Sequence, residues 1–163
     1  MTVSAADFKT SLGRWLSGVS IVTTRSGERL AGLTVSAFTS ASLDPPLVAV
    51  CVDSKANTLP VILESGYFAI NVLSARQHAL SDRFASKKDE HLRFEGVPLV
   101  EAPGAHSPLI DGAVVHLDCR LHAKHDVGDH ALCVGEVLLA LNADHEPLGF
   151  FRGRYHGVAP HGG

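Results

Sequence analysis

A chain of 163 residues, 45% hydrophobic and 19% charged, suits one domain with a sizeable core or one subunit of an intimate dimer. Its net charge of −3, without a block of Lys or Arg, excludes a nucleic-acid groove or an anionic membrane surface as the main partner. No apolar run approaches the ~20 residues that span a bilayer, and the first residues lack the pattern of a secretion signal, so a cytoplasmic location is expected.

Ser4 with Asp7 resembles a capping box, and Phe8, Leu12, Trp15 and Leu16 follow at helical spacing. This predicts an amphipathic helix over residues 5–16, ended by Gly18, and then a strand over 19–24. Ser26-Gly27-Glu28 is a turn into a hairpin partner. In that partner Leu33, Val35 and Ala37 fall on one face, while Thr34, Ser36, Phe38 and Ser40 fall on the other, because strand side chains alternate. No charged residue occurs in the eleven positions from Leu33 to Leu43. A face of small hydroxyls around one aromatic can hold a flat polar ligand; it is also what a Thr/Ser-rich edge strand looks like.

Asp44-Pro45-Pro46 forces an extended corner, since Pro fixes φ and has no N–H for a ladder. The apolar run 47–52 reads as a strand buried on both faces. Asn57 is a good N-cap for a short helix to about Glu64, with Pro60 in its first turn and Gly66 as its stop. Ser54, Lys55, Asn57 and Thr58 around that helix start offer backbone N–H groups, hydroxyls and one cation to a phosphate. The same residues are compatible with a plain cap and a solvated lysine.

Residues 67–73 form another buried strand, and Ser74 with Gln77 opens a helix to about Ala85. Residues 87–108 are charged and then rich in Pro, Gly and His, which predicts a long exposed excursion serving as a lid or a dimer contact. Alternation over 113–124, a turn at Asp126-Val127-Gly128-Asp129 and a return over 130–141 make a long hairpin. Asp129 and His130 at the return can contact a planar ligand or merely shape the bend. A last strand spans 147–155, and 159–163 is expected to be a frayed tail. Short turns between most strands indicate a mainly β protein: one antiparallel β-barrel domain over 1–163, decorated with helices.

Cys51, Cys119 and Cys133 lack CxxC spacing and read as reduced, buried thiols. His116 and His122 share a strand face but stand ~20 Å apart, so solvated histidines and no metal site are expected. The chain has no GxGxxG after a first strand, no Walker loop and no Gly-x-Ser-x-Gly elbow, which excludes those routes to nucleotide binding or hydrolysis.

Four segments together resemble the flavin reductase-like family, the short-chain NAD(P)H:flavin oxidoreductases that serve two-component monooxygenases. They are Gly18-Val-Ser-Ile-Val-Thr-Thr24; Gly32 to Pro46; Phe68-Ala-Ile-Asn-Val-Leu73 with Arg83-Phe84-Ala85; and Gly128-Asp-His130 with Gly135-Glu-Val137. A closing Phe151-Arg-Gly-Arg-Tyr-His156 fits as well. The family often carries Asn where this chain has Ser36. The resemblance implies a split antiparallel β-barrel homodimer that binds FMN or FAD, oxidises NADH or NADPH and delivers diffusible reduced flavin to a partner monooxygenase. It implies flavin contacts from Thr34, Val35, Ser36, Ala37, Ser40, Ser42, Ser54, Lys55, Asn57, Thr58 and Phe84, and nicotinamide contacts from Asp129, His130 and Tyr155. No residue is assigned a catalytic proton transfer, because hydride transfer needs stacking of the two rings rather than an acid–base pair. The rival expectations are a flavoprotein with fixed flavin, acting as oxidase or electron carrier, and a non-enzymatic dimer that binds flavin or haem.

Overall fold

Short turns, not crossover helices, connect most elements of this chain, whose computed structural model describes residues 2–159. Among the described residues the first strands are β1 (Ser17–Gly18), β2 (Ser20–Ser26), β3 (Arg29–Val35), β4 (Phe38–Leu43), β5 (Pro46–Asp53) and β6 (Tyr67–Val72). They are followed by β7 (Leu99–Val100), β8 (Leu109–Ile110), β9 (Val115–Val127), β10 (His130–Asn142), β11 (Leu148–Phe151) and β12 (Arg154–Gly157). The α-helices are α1 (Ala5–Leu12), α2 (Thr58–Ser65) and α3 (His78–Ala85). Seven strands pair in the order β3-β2-β6-β9-β10-β5-β4. Since β3 and β4 are the two edges of that order and only Ser36 and Ala37 join them, the antiparallel sheet must curl back on itself. The result is the split barrel with flanking helices. A second sheet, β1-β11-β12, is tied to it by Val19 N to Leu148 O at 3.2 Å and Leu148 N to Leu73 O at 2.9 Å.

Two apolar clusters fill the fold. Val22, Val50, Val52, Phe68 and Ile70 form the first, closed by Leu59 and Ile62 of α2. Val19, Ile21, Leu73, Ile110 and Leu148 form the second around Phe84 of α3. Helix α2 stops where expected, at Gly66, whose φ of 73° lets its N–H reach Ile62 O. Close packing demands another glycine at β10: a Cβ on Gly135 would stand 2.5 Å from Phe68 Cζ and 2.8 Å from Cys119 Cβ.

Several expectations are corrected. The first helix ends at Leu12, not at residue 16, because Gly13 caps it and Arg14 and Trp15 bond back only three residues, to Ser11 and Leu12. None of its residues is buried. The single strand read through 33–40 is two strands, since β3 pairs with β2 as far as Val35 and the chain then crosses to pair with β5 from Phe38. The last strand is a hairpin, β11–β12, turned by Arg152 and Gly153 at positive φ. His116 is not solvated; it is buried, with Nε2 2.7 Å from Ile110 O.

The excursion over 87–108 is not a free lid. Arg93 is buried and donates to Gly32 O at 2.6 Å, and Arg83 donates to Leu92 O and Glu95 O. Asp118, wholly buried, accepts from the amides of His106 and Ser107 at 2.7 and 3.1 Å. His106 stacks on Tyr67 with ring centroids 4.1 Å apart. Buried backbone and carboxylate groups need such partners, and here they pin the segment to the barrel. Of the tail expected over 159–163, residues 160–163 lie outside the described residues.

The expected outcome of Gly135→Ala is a loss of about 1–3 kcal/mol from overpacking against Phe68 and Cys119, read as a lower denaturant midpoint. Burial, assisted by Asp118, pushes the Cys119 thiol up to about 12, and burial pushes Cys133 up to about 11. Both therefore stay protonated in the folded chain above the ordinary value of 9.0. The stability from these raised values is complete below pH 9 and is lost as pH rises toward 11–12. A Cys51→Ser variant is expected to show no thiol that reacts with a disulfide reagent at pH 8 until it is unfolded.

Candidate functional site

The site begins at the barrel seam. Ser20 Oγ donates to Val35 O at 3.2 Å at the end of β3, and Cys51 N donates to Ala37 O at 3.0 Å as the chain joins β5. Between these bonds Ser36 and Ala37 are exposed, outside either strand. A groove of about 500 Å³ runs from this seam along Trp15, Leu16, Phe38, Cys51 and Leu132. A smaller pocket of about 170 Å³ also borders Ser36, lined by Thr34, Val35, Phe150 and Tyr155.

The polar groups of the smaller pocket are already oriented. Thr34 Oγ1 donates to Ser81 O at 2.6 Å, so α3 holds the strand hydroxyl. Tyr155 Oη donates to Asp82 Oδ1 at 2.6 Å and lies 2.9 Å from Ser81 Oγ. Burial, helped by the Asp82 contact, raises the Tyr155 hydroxyl above its ordinary value, so it remains a protonated donor.

The predicted anion segment sits at the same end of the barrel. The β4–β5 register begins at Phe38 opposite Val50, four residues, about 13 Å along the strand, before Ser54. Asp53 of β5 pairs with His130 of β10, and Ser54 N donates to Asp129 O at 3.0 Å. These pairings bring the 54–58 segment against the Asp129–His130 turn. Asp129 Oδ1 lies 2.7 Å from His130 Nδ1. That hydrogen bond and the imidazolium charge hold the Asp129 carboxyl below its usual range, with Lys55 adding to the effect. Lys55 N and Ala56 N are committed to Asp53. Among the described residues, no acceptor takes the amides of Asn57 or Thr58.

Individual residues depart from the sequence-based expectation. Asn57 is helical, with no side-chain cap bond; its Nδ2 donates to Glu90 Oε2 at 2.7 Å, which links α2 to the excursion. Glu90 in turn pairs with Arg93 at 3.2 Å. Thr58 is buried at 1% exposure, so its side chain belongs to the helix packing and only its amide faces outward chemistry. Phe84 is wholly buried, edge-on to Phe94, and a Cβ on Gly32 would stand 2.9 Å from its ring; it is a core residue without a ligand-facing surface. Ser40 and Ser42 lie farther along β4, beside a register shift, and border neither the groove nor the small pocket. Helical spacing assigns Trp15 and Leu16 to a helix face, which conceals their place in the groove. Nothing in the sequence marks the Asn57–Glu90 contact between residues 33 positions apart.

Comparison with known proteins gives a consistent result. The flavin reductase like domain model matches residues 12–159. The chain is 40% identical over 159 residues to an NADH-dependent flavin reductase of a Rhodococcus species, covering 96% of this chain and 88% of the relative. It is 40% identical over 149 residues to the reductase component of 4-hydroxyphenylacetate 3-monooxygenase from Thermus thermophilus, covering 91% and 93%. Among solved structures it is similar to an NADH:FAD oxidoreductase of Streptomyces globisporus in complex with NAD and FAD fragments. That match has a TM-score of 0.88 and 34% identity, and covers 98% of each chain.

Proposed function

The chain belongs to the flavin reductase-like domain family, and from that premise we propose that it is an NADH:flavin oxidoreductase that delivers reduced FMN or FAD to a partner monooxygenase. The observation that carries this reading is the meeting of the Ser36–Ala37 seam, Lys55 and the Asp129–His130 turn at one barrel end. The residues fit a flavin. The seam offers a hydroxyl and open backbone beside an apolar groove for a flat ring, and the amides of Asn57 and Thr58 with Lys55 suit a phosphate. When bound, the flavin supplies the ring that accepts a hydride from NADH.

The chain's own residues bind and orient. Ser36 and Ala37 hold the ring edge, backed by Val35, while Ser54, Lys55, Asn57 and the Thr58 amide take the phosphate. Thr34 and Tyr155, fixed through Ser81 and Asp82, keep the wall of the small pocket in place. His130, held by Asp129, presents a flat ring and a donor to the nicotinamide carboxamide. None of these groups needs to move a proton for hydride transfer. One lysine, without an arginine cluster, gives a phosphate grip weak enough for product release. The reading also places the chain in the cytoplasm, where its three cysteines stay free.

We further infer a homodimer. Helix α1 buries none of its residues, and Phe8, Leu12, Trp15 and Leu16 leave an apolar face beside the groove. The family resemblance implies a homodimer, and a second copy is the occupant we assign to this face. Sedimentation at micromolar concentration is expected to show a dimer, and a stable monomer would overturn the inference.

Titration with FMN and FAD tests the function. NADH oxidation is expected to rise from near zero as catalytic flavin is added to the purified chain. A protein that is yellow as purified and needs no added flavin would be a fixed-cofactor enzyme; binding without turnover would make it a carrier. Lys55→Ala is expected to weaken FMN binding roughly 10- to 100-fold, the loss of one charge-assisted contact. Riboflavin, which has no phosphate, should bind the variant as it binds the parent.

A further inference from the structure

One carboxylate of the excursion is shared between two elements. Glu90 opens a single 3-10 turn over Glu90–Leu92, directly after Asp89, whose φ of 51° turns the chain sharply. Its Oε2 accepts from Asn57 Nδ2 at 2.7 Å, and its Oε1 pairs with Arg93 Nη2 at 3.2 Å. The Glu90 side chain is 28% exposed and that of Arg93 only 8%. The carboxylate therefore stands at the surface, between a side-chain amide at the start of α2 and a buried guanidinium.

That guanidinium is not fully used. Nη1 donates to Gly32 O at 2.6 Å and Nη2 donates to Ser86 O, but Nε is buried and, among the described residues, has no partner. A buried donor left open costs free energy. Nε and Nη2 lie on one edge of the planar guanidinium, the edge that a carboxylate can grip with both oxygens. Glu90 holds only the Nη2 corner of that edge, because its other oxygen is drawn to Asn57. A rotation of the carboxyl that completes the fork on Arg93 releases Asn57.

Asn57 is also where an anion would arrive. Its backbone amide and that of Thr58 are open, and the side chain that Glu90 holds belongs to the same residue. A phosphate at these amides and the Glu90 carboxylate are like charges converging on one residue, and they repel. We propose that Glu90 is a positioning residue that competes with the flavin phosphate for Asn57, and that Arg93 Nε is the seat it takes while the phosphate is bound. The inference rests on the reading of 54–58 as the phosphate segment, and it accounts for a buried donor that the segment alone leaves unexplained. Neither arrangement leaves Glu90 unpaired, so the exchange is easy in both directions. As the phosphate departs, Glu90 returns to Asn57, which favours release of reduced flavin over its retention.

The test is Glu90→Gln, which keeps an acceptor for Asn57 and removes the charge. Binding of FMN and of riboflavin is measured by quenching of flavin fluorescence. The variant is expected to bind FMN about 3- to 10-fold more tightly, to lose that gain as salt is added, and to bind riboflavin, which has no phosphate, as the parent does. In the parent, the Arg93 Nε–H proton, followed by NMR, is expected to move downfield when FMN saturates the protein and to stay in place with riboflavin. Unchanged or weaker FMN binding by the variant would overturn the proposal, as would an Nε–H signal that FMN does not move. A change shared equally by FMN and riboflavin would also overturn it, and would make Glu90 only a brace of the excursion. A parent protein that binds FMN no more tightly than riboflavin would refute the phosphate reading, and one that does not reduce flavin with NADH would refute the functional reading itself. Both of those results are visible without any variant.

Discussion

A seven-stranded antiparallel sheet has two unpaired edges, and in this protein those edges are consecutive in the chain and separated by two residues. The rest of the molecule is built around that constraint. With only Ser36 and Ala37 to span the gap, the end of β3 must meet the start of β4, the sheet must curl, and both residues lie outside the ladders. A barrel removes the edges that would otherwise template aggregation. It does so here at the cost of one short stretch of open backbone, and that stretch is where the apolar groove and the small polar pocket meet. Because β5 runs antiparallel to both β4 and β10, closure also sets the height at which Ser54 and Asp129 arrive.

The barrel is further braced by polar groups that its core could not otherwise tolerate. Asn71, fully buried on β6, donates to Ile21 O and Thr23 Oγ1 and accepts from Ile110 N. Asp118 on β9 receives two amides from the excursion. Each of these groups would be expensive if left unpaired. They therefore act as fixed points to which the irregular chain between α3 and β9 must return. The network Asn57–Glu90–Arg93–Gly32 carries the same bracing across to the start of α2 and to β3, so the 54–58 segment and the strand that leads into the seam are linked through one loop.

Such a frame is consistent with hydride chemistry. The reaction asks that two planar rings be held in contact, and proximity of that kind supplies most of what an enzyme must contribute. Rigid backbone, a few oriented hydroxyls and one surface cation meet that demand. Tyr155 illustrates the principle: its hydroxyl is tied to Asp82 and kept protonated, and its ring is left to wall the pocket. Lys55 keeps its charge at the surface, beside the open amides of Asn57 and Thr58, rather than in the core.

Much of the fold was legible in the sequence because strand alternation, turn residues and caps are local properties. The hairpin over β9 and β10, the left-handed stop at Gly66 and the Ser74–Gln77 capping box all depend on residues within a few positions of one another. The family motifs likewise carried the barrel and its chemistry. Local rules failed where a distant partner decided the outcome. Asn57 looked like a cap, yet Glu90 claims its side chain; Phe84 lay in a flavin motif, yet the space left by Gly32 draws it into the core. The first helix lost its last turn because Gly13 favours a cap over helix continuation. The hydroxyl strand divided at Ser36 because β5, rather than β2, offered the next edge to pair with. Periodicity determines which residues can share a face. Only the closed barrel decides which faces meet, because that choice depends on pairings between strands that are far apart in the chain.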